Sequence, residues 1–414
     1  MQPALYIALR FTAARKRSLA FSLSGVILGV AFFICTQAQT QGFEKFFIET
    51  VLGTSGAITI GDRFQPRYAP LPSDGGAAVA VSGQQSRKYY SGIDNPGMVI
   101  RCLEEYSAVL SVAPYVEGNA TLRTNFKNEV VKLQGIDLAA QFRTTTLRDQ
   151  IVKGDIDRFK YRPYGLLVGS LLADKLQIKP GDLVYVAGAL GAPRAFTVEG
   201  IYQSGINAID QSRVYTHLAT AQSVLNMPYQ ISSIVVRLRD PERAPEIANH
   251  LEDQLLHISR SWQEREQGNL AIFHTLRLSS AIVVSLIILL AGFGIFNILT
   301  MTVLNKVREI AILRSMGYKR EDIQAIFLYQ GLIIATIGSF VGCLLGAALT
   351  YTISLIPIHI RGVIHADSFV VAWSSSHYVW AVVIAYVSVL VASYFPARRA
   401  ATLPPVNILR GSGQ

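Results

Sequence analysis

Charge is scarce in this sequence. Asp, Glu, Lys and Arg make up 16% of its 414 residues, half of the residues are apolar, and the mean hydropathy is +0.33. Soluble domains carry about 25% charged residues, so the composition excludes an ordinary soluble globular chain. Cysteine is rarer still. Cys35 and Cys343 fall in apolar runs and Cys102 stands alone in a polar region, which leaves no internal disulfide framework and no metal-ligand spacing. All three read as small buried hydrophobes. Catalytic signatures are missing as well: no H-E-x-x-H, no C-x-x-C, no G-x-S-x-G and no G-x-x-x-x-G-K-[ST] occurs. A phosphate loop needs its lysine to reach the β- and γ-phosphates, so the sequence carries no P-loop ATPase and no cofactor is expected.

The charge that is present is placed rather than spread. Residues 305–322, N-K-V-R-E-I-A-I-L-R-S-M-G-Y-K-R-E-D, hold eight charged residues, five of them basic. On either side, 278–305 and 323–360 contain no Asp, Glu, Lys or Arg. Residues 1–20 carry Arg10, Arg15, Lys16 and Arg17, and the tail from Ala397 carries Arg398, Arg399 and Arg410, all without an acid. These three stretches hold twelve basic and three acidic residues, which is +9 of the chain's net +10. Such basicity reads as positive-inside topology rather than as a nucleic-acid patch.

A bilayer core needs about 20 apolar residues as a helix. Four runs supply them: 19–40, 278–304, 323–356 and 377–396. The first is longer than a signal-peptide core and lacks a small-residue cleavage site, so it reads as a retained anchor. The cytoplasmic segments are then 1–18, 305–322 and 397–414. Residues 41–275 and 357–376 lie outside. No span holds a charged residue in its core, whereas ion-coupled transporters rely on such groups, so the energy source lies elsewhere. Gly25 and Gly29 form a G-x-x-x-G, and Gly331, Gly338, Gly342 and Gly346, with Ala335, make a small-residue stripe along the third span. Stripes of this kind let helices approach closely, within one chain or between subunits. Pro357 ends or kinks that span.

The fold class expected is an α-helical membrane domain of four helices with a large α+β extracytoplasmic domain inserted between the first and second. Within it, 57–60, 98–102, 129–134 and 232–238 read as strands, and 183–187 with 195–202 as a hairpin after the turn Lys179-Pro180-Gly181-Asp182. Residues 166–176, 216–225 and 244–256 read as helices, and Pro66 to Gln85 as a loop. His250 and His257, seven apart, are spaced to share a solvated helix face.

The layout and two motifs resemble the FtsX-like permease superfamily, the membrane subunits of ABC systems of the macrolide-exporter and lipoprotein-releasing type. The first motif is K-x-R-E-I-A-I-L-R-x-x-G: Lys306, Arg308, Glu309, Ile310, Ala311, Ile312, Leu313, Arg314 and Gly317. The second runs from Pro396-Ala397-Arg398-Arg399-Ala400-Ala401 to Pro405-Val406-Asn407-Ile408-Leu409-Arg410, with Leu403-Pro404 a departure before the final proline. Gly42-Phe43-Glu44 and the stretch from Trp262 to Asn269-Leu270 are similar to lipoprotein-releasing members. The resemblance implies a separate ABC ATPase subunit and a second permease, identical or paralogous. Residues 305–322 would be the coupling helix. Arg308 and Glu309 would pair with ATPase charges, and Ile310 and Leu313 would fill a groove. Lipoprotein cargo is the leading implication. An efflux pump for peptides or small amphiphiles with a periplasmic adaptor, and a non-transporting regulator of a periplasmic partner, are the alternatives.

Overall fold

The computed structural model describes residues 6–8, 16–63, 92–189, 191–356 and 370–402. The 66–85 loop, Pro357 and the stretch 403–410 of the closing motif lie outside the described residues. Among the described residues, 47–270 form one compact unit and the flanking segments form another.

The flanking unit is helical. Helix α1 is Lys16–Ser55, and the chain passes into the second unit within it. After the inserted unit come three more long helices, introduced below in chain order. All four are long and apolar enough to cross a membrane.

The inserted unit is α+β. Its elements are β1 (Ile58–Arg63), α2 (Pro96–Glu105), β2 (Val109–Arg123), β3 (Asn128–Ile136), α3 (Leu138–Thr144), β4 (Ile151–Gly154), α4 (Ile156–Tyr161), β5 (Gly165–Gly169), α5 (Ser170–Leu176), β6 (Leu183–Gly188) and β7 (Arg194–Tyr202). They continue with α6 (Asn207–Ser212), β8 (Arg213–His217), α7 (Leu218–Leu225), β9 (Ser233–Leu238), α8 (Ala244–Leu255), β10 (His257–Ser261) and α9 (Trp262–Arg265). The long β2 organises them. Its first half pairs with β9, which continues to β1 and β10. Its second half pairs with both β3 and β6. Because β3 pairs β8, β8 pairs β5, β5 pairs β7 and β7 pairs β6, these six strands return to β2 and close a barrel. Closure pairs these six strands around a ring, and β4 adds to β7 outside it. Leu122, Leu133, Val168, Val186, Phe196, Val198 and Val214 fill its interior. The open half is covered by α2, which buries Val99 and Leu103, and by α8, which buries Ile247, Ala248 and Leu251.

Four expectations need correction here, the first being burial of Cys102, which is exposed on α2. Residues 98–102 are helical, not a strand. Pro96 stands at the start of α2, where its missing N–H costs nothing, and the short run Met98-Val99-Ile100 has no periodicity of its own. Residues 166–176 are not one helix: 165–169 form β5, buried throughout, and only 170–176 are helical. A strand covered on both faces reads as a continuous apolar run. His257 begins β10 instead of sharing a helix with His250, because α8 stops at Leu255 and Leu256 turns left-handed at φ 54.

The remaining helices are α10 (Gln267–Asn305), α11 (Val307–Ser315), α12 (Arg320–Ser354) and α13 (Ser375–Thr402). The chain re-enters the helical unit within α10. Val30, Ile34, Ile288, Ile295, Ala335, Ala385 and Val389 make the core that α1, α10, α12 and α13 share.

Candidate functional site

The structure resolves 305–322 into a short helix held between two long ones. Asn305 closes α10, and α11 follows after Lys306. Leu313, Arg314 and Gly317 make the stop. Gly317 adopts φ +99, its N–H bonds the Arg314 carbonyl at 3.2 Å, and Tyr318 N–H bonds the Leu313 carbonyl at 3.2 Å. That pattern is a Schellman motif, which needs a residue free to turn left-handed. Leu313 and Tyr318 accompany it as partly buried apolar contacts. Helix α12 starts at once, with the Asp322 carboxylate accepting from Lys319 N–H at 2.8 Å. Glu321 and Asp322 occupy its first turn, where the helix dipole favours acids.

One face of α11 is anchored in its own chain. Ile310 is 1% exposed, packed with Val303, Ile323, Ile326, Phe327, Ala397 and Ala400. Ile310 therefore cannot fill a groove on a partner, which corrects the role expected of it. Burying an isoleucine stabilises the anchor by about 1.5–3 kcal/mol. Arg314 adds a tie to the end of α13, donating from Nη1 to the Ala401 carbonyl at 3.4 Å. The other face is open. Arg308 and Glu309 are exposed, Ile312 is 44% exposed and Met316 74%. Lys306 Nζ donates to Glu309 Oε1. An ion pair this exposed is worth about 0–1 kcal/mol, so Glu309 can exchange Lys306 for another cation cheaply. Ile312 and Met316, four residues apart, are the apolar pair that sequence reasoning missed. Their spacing from Arg308 on a helix was the available signal.

All six glycines are used inside the chain. A Cβ on Gly25 would lie 3.0 Å from Ala291 Cβ, and one on Gly29 would lie 2.8 Å from Ile288 Cγ1, so this pair seats α1 on α10. Gly338, Gly342 and Gly346 seat α12 on α1, where added Cβ atoms would meet Val26 at 2.9 Å, Val30 at 2.8 Å and Ala31 Cα at 3.2 Å. A Cβ on Gly331 would meet the Ser393 side chain of α13. The close approach is intramolecular packing.

At the opposite end of the helical unit, Gly42-Phe43-Glu44 is a contact triad. A Cβ on Gly42 would run into the Val370 carbonyl oxygen, and Ala372 N–H bonds the Ala38 carbonyl at 2.9 Å. Phe43 meets Phe273 edge-on with ring centroids 5.6 Å apart. Glu44 accepts from Arg277 at 3.2 Å.

Within the inserted unit, Arg265 closes the end of α1. Its guanidinium donates to the Ser55 carbonyl at 3.1 Å, to the Gly56 carbonyl at 2.8 Å and to Thr59 Oγ1. Gly56 turns left-handed at φ +66, so these are the orphan carbonyls of a helix C-terminus. Burial pushes the Arg265 pKa down, yet guanidinium stays charged in proteins. Trp262 N–H bonds the Ala57 carbonyl at 2.8 Å in the same joint. Between β7 and β8, the Tyr202 hydroxyl donates to the Arg213 carbonyl at 2.9 Å, and burial raises that phenol well above its ordinary value. Among the described residues, no group of three or more His, Cys, Asp or Glu could hold a metal ion.

Comparison with known proteins gives two family matches. The MacB-like periplasmic core domain matches residues 19–254 and the FtsX-like permease C-terminal region matches 281–405. The chain is 26% identical over 437 residues to the lipoprotein-releasing system transmembrane protein LolC of Xylella fastidiosa, covering 98% of each. It is 25% identical to the corresponding LolE of Haemophilus influenzae, covering 94% of this chain and 93% of that one. It is 24% identical to the macrolide export ATP-binding/permease protein MacB of Acinetobacter baylyi, covering 99% of this chain and 59% of that one.

Proposed function

The chain belongs to the ABC-transporter permeases that combine a MacB-like periplasmic core domain with an FtsX-like C-terminal region, and on that footing we propose that it is the membrane subunit of a lipoprotein-releasing system. Permeases of this family are non-catalytic inner-membrane proteins with a periplasmic domain, and they work with ABC ATPase subunits. The observation that supports the finer reading is the similarity to two differently named lipoprotein-releasing relatives, LolC at 26% and LolE at 25% identity.

In this reading α11 is the coupling helix and lies in the cytoplasm with both termini. Its buried face, centred on Ile310, fixes it to α10, α12 and α13. Its open face, with Arg308, Glu309, Ile312 and Met316, docks on the ATPase. A helix presenting apolar anchors beside charges suits a groove on a partner. Closure of the ATPase then shifts α10 and α12 together, and the periplasmic domain turns the shift into extraction of cargo from the membrane. A second permease completes the transporter. The pairing of LolC and LolE names among the relatives supports a paralogue.

A second reading, efflux with a periplasmic adaptor, is favoured by the MacB relative's match across 99% of this chain. Purification in detergent with the native ATPase separates the two. Co-purifying lipoprotein supports release. A co-purifying periplasmic adaptor and no lipoprotein would overturn it in favour of efflux.

A further inference from the structure

An open groove of about 600 Å³ lies between α10 and α13 in the helical unit. Leu289, Phe293 and Phe296 line one wall and Val387, Val391 and Phe395 the other, with Gly292 and Ser388 on the floor. The helices touch at the floor, where a Cβ on Gly292 would sit 3.4 Å from the Ser388 carbonyl oxygen. Above it the aromatic rims stand apart: Phe293 is 64% and Phe395 61% exposed. Along α10 the groove runs from Leu289 to Thr300, about 16 Å at the helical rise. That is about half of a bilayer core of ~30 Å, so the groove spans one leaflet.

Its two ends differ chemically. The deep end is wholly apolar. The end towards α11 is closed by Arg399 and by Pro396, which has no N–H and so leaves the Ala392 carbonyl without a helical donor. A narrower extension of about 50 Å³, lined by Thr300, Val303, Leu304, Pro396 and Arg399, carries the groove up to the guanidinium. Arg399 has no ion-pair partner among the described residues. We propose that this groove holds one anionic phospholipid of the cytoplasmic leaflet, an acyl chain along the aromatic wall and the phosphate at Arg399. The leaflet assignment rests on the orientation argued under Proposed function. An acylated lipoprotein is a poorer fit, because it is anchored in the periplasmic leaflet and brings no phosphate to the basic end.

The test is native mass spectrometry of the full chain in detergent, titrated with phosphatidylglycerol or phosphatidylcholine of matched chain length. Wild type should prefer phosphatidylglycerol about five-fold, the weight of one basic side chain near an anionic surface. Arg399→Gln should bring the two lipids to parity. Val391→Trp, which fills the groove from an exposed rim, should lower binding of both, and its thermal stability reports that it is folded. An unchanged preference in Arg399→Gln, equal lipid binding in folded Val391→Trp, or a loss of oligomer instead of lipid would each overturn the proposal. A preference that survives while lipoprotein release proves to be the wrong function would leave the lipid site standing.

Discussion

Replacing Arg265 with alanine removes three hydrogen bonds from the joint between α1 and β1 at once. Two of them, at 3.1 and 2.8 Å, go to the Ser55 and Gly56 carbonyls. Hydrogen bonds involving a charged group contribute about 1.5–3 kcal/mol each, and they do not add fully when they share one side chain. The helix C-terminus also loses a cation, worth about 0.3–1 kcal/mol. Together a loss of about 3–4 kcal/mol in the local stability of this joint is expected. Hydrogen exchange of the full chain in detergent reads that number directly. Amides in the last turn of α1 and in β1 should exchange about 150- to 700-fold faster in Arg265→Ala, since about 1.4 kcal/mol is a factor of ten. Arg265→Lys keeps the charge but not the planar fork, so it should recover only part of the protection. Protection within about three-fold of wild type in Arg265→Ala, a difference below 0.7 kcal/mol, would refute the idea that this guanidinium holds the joint.

Gly342→Leu should destabilise the helical unit by about 1–3 kcal/mol through overpacking, because its Cβ would meet Val30 at 2.8 Å. Gly294→Leu, with nothing within 4 Å, is the matched control, and equal melting temperatures for the two would contradict the packing account. Leu256→Asn should raise thermal stability, because a left-handed leucine at φ 54 costs about 1–2 kcal/mol and asparagine less. Tyr202 makes the inserted unit alkali-sensitive. Its folded pKa lies above the ordinary 10.0 through burial, so the phenol's contribution is complete below pH 10.0 and is lost as pH rises from there towards the folded value. Tyr202→Phe should flatten that alkaline loss while costing about 1 kcal/mol at neutral pH for the bond to the Arg213 carbonyl. Melting temperature against pH checks both.

Much of this architecture can be read from the chain because the bilayer amplifies a simple signal. Charge-free runs of helical length have few alternative readings, and the glycine stripe has a physical purpose whatever it packs against. The hairpin of β6 and β7 was equally legible, with a Lys-Pro-Gly-Asp turn before it and alternating strands within it. The closed barrel was not. It depends on β2 pairing with three other strands over different parts of its length, and on two parallel pairings, none of which leaves a local trace. At α11 the motif marks a segment but not its faces. A helix of nine residues with Ile310, Ile312 and Leu313 in sequence offers no way to tell the anchored side from the open one until α12 and α13 are packed against it. Arg265 went unnoticed for the same reason: its partners are about 210 residues away in sequence.

If the open face of α11 transmits work from a separate ATPase, as proposed, altering that face uncouples hydrolysis from release. The direct measurement is ATP hydrolysis and lipoprotein release, recorded together, for the complex reconstituted in proteoliposomes. Ile312→Asp and Met316→Asp alter exposed side chains and should leave the fold intact, whereas Ile310→Asp should disrupt the anchor itself. With the two exposed positions changed, release per ATP should fall by about ten-fold or more, the loss of a modest interface anchor. A folded double variant that releases lipoprotein at the wild-type ratio would contradict the claim.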